Sequence, residues 1–290
     1  MSEHKIGLIG GTGMGQLLSD TLGTLRHEID TPFGKPSDAI VESNIQGMPV
    51  LIVNRHGPGH VIPPSRIPVR ANIFALKQLG CTHIIATGAV GSLRQEMKPR
   101  DLVVPDQIID RTTQRAGTFF EKAAVHVEFA EPFCPVLRQI LIEPGVHDRG
   151  CYVCVDGPNF CTRAESLMHR LWGGDLAGMT VMPEAKLARE AELPYAMVTL
   201  VTDYDCWRPK DPKAPEGESL LKEIMANLQE ASAAAMNLIN RALARIAANP
   251  DQIAQCPARE ALKLAIWSDK SRIDPEEISR LSTLWGKYFA

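Results

Sequence analysis

Two kinds of polar residue follow the apolar, strand-like segments of this sequence. One kind can bind an oxyanion through hydroxyls, main-chain amides, a cation and its neighbouring histidine: Thr12, Arg55, His56, Gly88, Ala89 and Thr180. Arginine pairs bidentately with phosphate oxygens, and hydroxyls and amides can satisfy the remaining oxygens without a metal. The other kind is a pair of carboxylates, Asp203 and Asp205, which suits a ligand rich in N–H donors. Together they favour a site for an anion beside a nitrogen-rich group.

A glycine-dense turn carries the first of these residues. It follows an apolar strand in the segment KIGLIGGTGMG, from Lys5 to Gly15. The glycines allow close approach of main-chain amides to an anion. The pattern fits the dinucleotide motif GxGxxG only loosely, and it is not a Walker loop because no Gly-Lys-Ser/Thr follows. The turn alone is equally compatible with a simple tight exit from the strand.

Each polar residue also has an ordinary structural explanation. Arg55 could pair with a surface carboxylate, His56 could be a packed side chain, and Asp203 and Asp205 could cap a turn. What favours a site is their joint placement at strand ends, because ligands of such sheets bind outside the carboxyl ends of the strands. We predict five such strand ends: Gly10 to Gly13, Arg55 to Gly57, Thr87 to Gly91, Met179 to Thr180, and Thr202 to Asp205.

Alternating strand and helix patterns predict one α/β domain with a mixed central sheet flanked by helices. We place this domain at residues 1–248 and a C-terminal helical extension at residues 249–290. Strands are predicted at His83 to Thr87 and Tyr195 to Val201, and a hairpin from Ala39 to Asn54. Helices are predicted over residues 15–24 and over a long alanine-rich stretch from about Ser219 to Ala248.

Composition narrows the class of protein. The chain has 290 residues and a formal net charge of −3, so we expect no nucleic-acid partner and no membrane partner. Its seven cysteines form no recognisable disulfide framework, which predicts a reducing, cytoplasmic location. Cys151 and Cys154 form a CxxC, but strand-like alternation sends them to opposite faces, and no second pair completes a zinc site. We expect no metal.

Ten segments in order resemble the methylthioadenosine phosphorylase branch of the trimeric purine nucleoside phosphorylase family. They cover about residues 5 to 245 and are IGGTG (Ile9 to Gly13), TPFGKPSD (Thr31 to Asp38), RHG (Arg55 to Gly57), RANIFALKQLGCTHII (Arg70 to Ile85), GSLR (Gly91 to Arg94), DQIIDRTT (Asp106 to Thr113), AEPFCP (Ala130 to Pro135), GPNF with RAES (Gly157 to Ser166), MTVMPE (Met179 to Glu184) and TDYDCW (Thr202 to Trp207). The number of matches in order far exceeds what any single motif could establish.

The resemblance implies the nucleoside phosphorylase fold, a homotrimer, and phosphorolysis of a purine nucleoside with inorganic phosphate as co-substrate and no cofactor. It implies phosphate contacts from the six oxyanion-binding residues named above. Contacts with the nucleoside are implied for Met179 at the ribose, Phe160 and Cys161 at the base, Tyr204 between the two aspartates, and His126, which a neighbouring subunit would lend to the 5′ end of the pocket.

The resemblance also gives the carboxylates their roles. Asp203 would act as general acid toward the purine imidazole ring, and Asp205 would accept a hydrogen bond from an exocyclic amine, which favours 6-amino purines. A 6-oxopurine or methylthioinosine phosphorylase on the same fold, a nucleotide-dependent oxidoreductase and a nucleoside-binding module are the alternatives. Departures from the family are Gly88, where a threonine is common, and Cys161. The extension is either an extra helical cover on the domain or a segment whose apolar residues, including Leu281, Leu284 and Trp285, help close the 5′ pocket of the same or a neighbouring subunit.

Overall fold

A mixed, eleven-stranded β-sheet forms the centre of the computed structural model, which describes residues 4–14, 25–209 and 218–289. The predicted fold class is confirmed. The strands are β1 Ile6–Gly10, β2 Leu25–His27, β3 Ile40–Ile45, β4 Met48–Asn54, β5 His83–Ser92, β6 Leu102–Val103, β7 Gln107–Asp110, β8 Val146–His147, β9 Cys151–Cys154, β10 Leu176–Gly178 and β11 Tyr195–Tyr204. Eight of them follow the order β2-β3-β4-β1-β5-β10-β9-β7. In addition, β11 pairs with β5 and β6, and β6 pairs with β8.

The middle of the sheet is parallel and covered on both faces. β1 runs parallel to β4 and β5, β5 runs parallel to β11, and all five residues of β1 are buried. This burial explains why β1 reads as a continuous apolar run rather than an alternating one. β3 and β4 form the predicted antiparallel hairpin. The parallel strands β1 and β4 therefore end at the same edge of the sheet, at Gly10 and Asn54.

The described residues also form α-helices, some packed on the sheet and some on other helices. They are α1 Val69–Gln78, α2 Pro135–Leu141, α3 Arg163–Leu171, α4 Val181–Glu190, α5 Glu218–Ala248, α6 Asp251–Ala254, α7 Pro275–Arg280 and α8 Ser282–Trp285. The long helix α5 begins one residue before the predicted start and ends at the predicted residue. The helix predicted over residues 15–24 lies outside the described residues. Among the helices of the described ranges, none combines the length and apolar character needed to cross a membrane.

β5 and β11 are longer than predicted. The sequence pattern predicts strand ends at Thr87 and Val201, but β5 continues to Ser92 and β11 to Tyr204. Gly88 and Ala89 pair with Thr199 and Leu200, so these glycine-rich residues belong to the ladder and are not a strand exit. The prediction failed because Gly88 interrupts the apolar pattern, whereas the backbone pairing between the two central strands continues through it. A register shift between Val201 and Asp203 interrupts β11.

The residues after α5 pack into the main core. Leu281 and Trp285 are fully buried, and the Trp285 ring lies 4.7 Å from that of Phe120, measured between centroids. Val125 forms an isolated bridge with Ile266 of the same extension. The expectation that Leu281, Leu284 and Trp285 close a ligand pocket is therefore wrong, because their side chains are buried in the hydrophobic core. The division at residue 248 stays a prediction.

One disulfide ties the extension to the rest of the chain. Cys134, at the start of α2, is bonded to Cys256, 122 residues later, with their Cα atoms 6.4 Å apart. The expectation of cysteines without a disulfide framework is wrong for this pair, because partners so distant in sequence leave no spacing signal. Cys151 is half-buried and Cys154 is buried, neither forms a disulfide, and burial raises their pKa values to about 11 and about 12.

Candidate active site

A cavity of about 370 Å³ opens at the edge of the sheet where β1, β4 and β10 end, beside the central strands β5 and β11. Parallel sheets bind ligands at this edge. Most of the residues selected from the sequence line it: Thr12, Arg55, His56, Gly88, Ala89, Phe160, Cys161, Met179, Thr180, Asp203 and Asp205. The candidate oxyanion donors and the candidate carboxylates thus share one hollow. Their individual roles stay predictions.

Arg55 is completely buried at one end of the cavity. Its Nε and Nη2 donate to the two carboxylate oxygens of Glu184 at 2.8 and 2.9 Å, and its Nη1 donates to the Thr87 carbonyl at 2.7 Å. Burial by itself would lower the pKa of Arg55, but the charge and hydrogen bonds of Glu184 outweigh it and raise that pKa. Two of the five guanidinium N–H bonds remain for a ligand.

His56 follows directly and is also buried. Its Nδ1 lies 2.9 Å from the Ile62 carbonyl oxygen, and its ring stacks on His60 with 4.1 Å between centroids. Burial lowers the pKa of His56 to about 4, and the charges of Arg55 and His60 act in the same direction. Burial also lowers the pKa of His60. Both rings are therefore neutral near pH 7.

Thr180 supplies a hydroxyl at the start of α4. Its Oγ1 is buried and has no hydrogen-bond partner among the described residues, although it borders the cavity. An unpaired buried hydroxyl costs free energy, which a ligand oxygen would recover. Gly88 lies close by, since a Cβ built there would be 3.2 Å from Thr180 Oγ1 and would overlap the Met197 side chain. Met197 thus leaves no room for a side chain at position 88.

Asp203 and Asp205 border the same cavity beside Gly91, three residues along β5 from Gly88. Burial raises the pKa of Asp203 to about 6, the Asp205 charge adds to this, and the Thr202 hydroxyl, which donates to Oδ2 at 2.7 Å, opposes it. Burial also raises the pKa of Asp205, whose Oδ2 has no hydrogen-bond partner in the described part of the chain. A Cβ added at Gly91 would lie 3.1 Å from Asp203 Oδ1. Glycine at this position therefore leaves room for the carboxyl pair.

Apolar side chains form the wall between the two ends. Met179 packs against Gly157, which has a φ of +65° and no space for a Cβ beside the Met179 sulfur. Phe160 is 73% exposed, so its ring is available to a flat ligand. Burial raises the pKa of Cys161 to about 12, which keeps this thiol neutral. The wall can cover a sugar and a base without adding charge.

Two predicted contacts lie outside the cavity. The Tyr204 hydroxyl donates to the Gln95 carbonyl at 3.2 Å, and the Arg208 guanidinium lies over its ring. Side chains alternate along a strand, so Tyr204 points away from the face of its aspartate neighbours. His126 packs edge-on against Trp267, with 4.7 Å between ring centroids, and its backbone N–H donates to Ala265. Neither residue contributes to the pocket of its own chain.

Three residues that the sequence analysis did not select support the site. Glu184 and His60 fix Arg55 and His56 as described above. Arg115 donates from Nη1 to the carbonyls of Met179 and Met182, both at 2.7 Å, and so holds the backbone around Thr180. Glu184 belongs to the segment MTVMPE, and His60 follows Arg55 by five residues. Nothing in the local sequence indicates that this glutamate is buried or that this histidine stacks on His56, so neither role could be predicted.

The described residues contain no group of three or more His, Cys, Asp or Glu side chains arranged to hold a metal ion. The polar groups that border the cavity are hydrogen-bond donors suited to an oxyanion and two carboxyls with raised pKa values. This donor set matches hydrogen-bonded ligands rather than a metal centre.

Comparison with known proteins agrees with the geometry. The sequence model of the phosphorylase superfamily matches residues 5–244. The S-methyl-5′-thioadenosine phosphorylase of Synechocystis sp. is 44% identical, with 100% of this chain and 89% of the relative covered, and that of Geobacter sulfurreducens is 42% identical, with 99% of each covered.

Solved structures give the same result. A methylthioadenosine phosphorylase from an Antarctic soil metagenomic library is 40% identical, with a TM-score of 0.84 and 98% of this chain and 99% of that chain covered. The Schistosoma mansoni methylthioadenosine phosphorylase in complex with adenine is 35% identical, with a TM-score of 0.82 and 91% and 99% covered. The chain therefore belongs to the phosphorylase superfamily.

Proposed function

We propose that this protein is a pentosyltransferase that phosphorolyses S-methyl-5′-thioadenosine to adenine and 5-methylthioribose 1-phosphate, a reaction of purine and methionine salvage. The observation that carries the proposal is the single cavity that joins oxyanion donors at one end to two carboxyls with raised pKa values at the other. The relatives named above are methylthioadenosine phosphorylases, and their similarity to this protein extends over nearly the whole chain. Inorganic phosphate is the co-substrate, and no cofactor is required.

The oxyanion end would hold phosphate beside the anomeric carbon of the sugar. We assign its contacts to Thr12, to the hydroxyl of Thr180, to the free N–H bonds of Arg55, and to His56 with the Gly88 to Ala89 backbone. Holding two reactants in contact lowers the barrier by converting their encounter into an internal step. The apolar wall of Phe160, Cys161 and Met179 would cover the ribose and base and exclude water.

The carboxyl end would stabilise the departing base. As the bond between sugar and base breaks, negative charge develops on the purine, and a proton delivered to its imidazole ring neutralises that charge. We assign this proton to Asp203, whose raised pKa keeps part of it protonated near neutral pH. Asp205 has a free oxygen that can accept from a 6-amino group. This acceptor favours adenine over a 6-oxopurine.

We further propose the homotrimer that the family resemblance implies. His126 lies outside the cavity of its own chain, beside Trp267, which is 72% exposed, and this placement suits a side chain lent to a neighbouring subunit. The cytoplasmic location expected from composition stays a prediction. The oxidoreductase that the glycine turn left open has lost its basis, because the chain belongs to a phosphorylase family.

A substrate panel tests the proposed reaction. Methylthioadenosine, adenosine, methylthioinosine and inosine are each incubated with phosphate, and free base and pentose 1-phosphate are quantified. We expect methylthioadenosine to give the highest kcat/KM, and no base release without phosphate. Preference for methylthioinosine or inosine would replace the assignment with a 6-oxopurine phosphorylase, and binding without turnover of any of the four would leave only a nucleoside-binding protein.

A further inference from the structure

The oxyanion end of the cavity holds almost no net positive charge. Among the described residues that line this end, the guanidinium is that of Arg55, which is paired through two hydrogen bonds with Glu184, whose side chain is 1% exposed. The Tyr195 hydroxyl donates a third hydrogen bond to Glu184 Oε1 at 2.8 Å, which holds the carboxylate in place. Because the two opposite charges lie together in a dry interior, a ligand nearby experiences mainly their dipole and not a full cation.

His56 adds a hydrogen-bond acceptor to this end. The Ile62 carbonyl can only accept, so the Nδ1 atom that lies 2.9 Å from it must carry the proton. In the neutral ring, Nε2 is then a lone pair. Protonating Nε2 would make the His56 ring a cation. That cation would lie against the His60 ring, stacked at 4.1 Å between centroids, and beside the Arg55 guanidinium. Nε2 has no hydrogen-bond partner among the described residues, and His56 borders the cavity.

These observations fit one ionic form of phosphate better than the other. We infer that the cavity binds phosphate as the singly charged, protonated ion, with one P–OH donated to Nε2 of His56, and that Glu184 sets this preference by balancing Arg55. The inference rests on the proposed function and specifies the form of its co-substrate. A doubly charged ion would meet an acceptor at His56, a balanced cation at Arg55, and the carboxyl pair Asp203 and Asp205 in the same cavity.

Other ionisable groups around the site change their protonation state mainly below about pH 7 or above about pH 9. His56 and His60 have lowered pKa values, whereas the Tyr152 and Tyr195 hydroxyls have raised ones because they are buried. Asp203, at about 6, and Asp205 titrate on the acid side. Between about pH 7 and pH 9 the main change is therefore the second ionisation of phosphate itself.

The test measures phosphate binding without nucleoside, by calorimetry and by the shift in Tm, between about pH 7 and pH 9. If only the protonated ion binds, the dissociation constant should rise about tenfold per pH unit above the second ionisation of phosphate. Sulfate, which carries two charges and no proton, should bind at least tenfold more weakly than phosphate near pH 7. Affinity for phosphate that is constant or increases with pH, or equal affinity for sulfate, would overturn the inference.

Glu184→Gln isolates the balancing charge. Removing it should strengthen sulfate binding about tenfold or more and flatten the pH dependence of phosphate binding. Glu190→Gln is the control above about pH 8, because Glu190 is another buried glutamate of α4 that does not line the cavity, and burial raises its pKa to about 7, so it is ionised there. It should bind both anions like the unaltered protein, and matching changes in both variants would contradict the assigned role. Because these readouts need no turnover, a negative substrate panel would not affect them.

Discussion

Asp203 follows the register shift in β11, and its carboxyl group borders a cavity whose lining is largely apolar. Burial raises its pKa to about 6, so the protonated fraction falls as pH rises through that value. If the proton goes to the base, kcat at saturating phosphate should decrease above about pH 6. Asp203→Asn keeps a hydrogen-bond donor but has no transferable proton, and we expect kcat to fall by about 10² to 10⁴ with loss of this pH dependence. Steady-state kinetics across pH measure both effects.

Asp269→Asn is the control for that variant. Asp269 lies in the extension and accepts from Ser271, which an asparagine oxygen can also do. It should retain the kcat and the pH profile of the unaltered protein. If Asp203→Asn still shows the same alkaline decrease, the titrating group is another residue and the general-acid role of Asp203 is refuted.

At the level of single residues, the sequence predicted donors better than their partners. Thr12, Arg55 and Thr180 could be found because polar residues after apolar runs mark strand ends. The same pattern identified Asp203, although β11 continues past it to Tyr204. The partner of Arg55 could not, since Glu184 is 129 residues away and only the tertiary fold brings it to 2.8 Å. The placement of Tyr204 was predictable in principle, because strand alternation separates it from its two aspartate neighbours.

Among the elements, β5 and β11 have the closest control over the site. Gly91 of β5 faces the carboxyl pair, and a Cβ there would lie 3.1 Å from both Asp203 Oδ1 and Asp205 Cβ. Gly91→Ala should therefore shift the carboxyls by a few tenths of an ångström and lower kcat/KM by roughly tenfold or more, since catalytic steps are sensitive to small displacements. Kinetics together with Tm measure this effect, and we expect Tm to change little.

Gly117→Ala is the matched comparison, because nothing lies within 4 Å of a Cβ built at that glycine. It should leave both kcat/KM and Tm unchanged. Equal activity of the two alanine variants would show that β5 does not constrain the carboxyl pair.

Elements were predicted well where the pattern of side chains decides the structure. Helix α5 and the β3–β4 hairpin follow from apolar periodicity, which the fold preserves. The ends of β5 and β11 were missed because hydrogen bonding between the two strands, which no local pattern records, continues past Gly88 and Thr202, where the apolar pattern is interrupted. The cavity is consequently bordered by paired strand residues at Gly88 and Ala89 and not by a loose loop.

Across the whole molecule, the Cys134–Cys256 disulfide connects segments 122 residues apart. Closing so long a loop restricts the unfolded chain, and such bonds typically contribute about 2 to 4 kcal/mol. Replacing both cysteines by alanine should lower the free energy of unfolding by about that amount, as measured by urea denaturation. Reductant should bring the unaltered protein toward the same midpoint without affecting the double variant. No response of the unaltered protein to reductant would show that the bond does not form in solution.

The burial of Trp285 shows that the packed core of the protein extends beyond the end of the superfamily match. The superfamily match stops at residue 244, inside α5, yet the aromatic ring that packs on Phe120 comes from position 285. A shortened version designed from the family boundary would end partway along a helix and leave an open space in the protein interior. The segment that the family model matches is thus shorter than the segment that must be synthesised to obtain a fully packed interior.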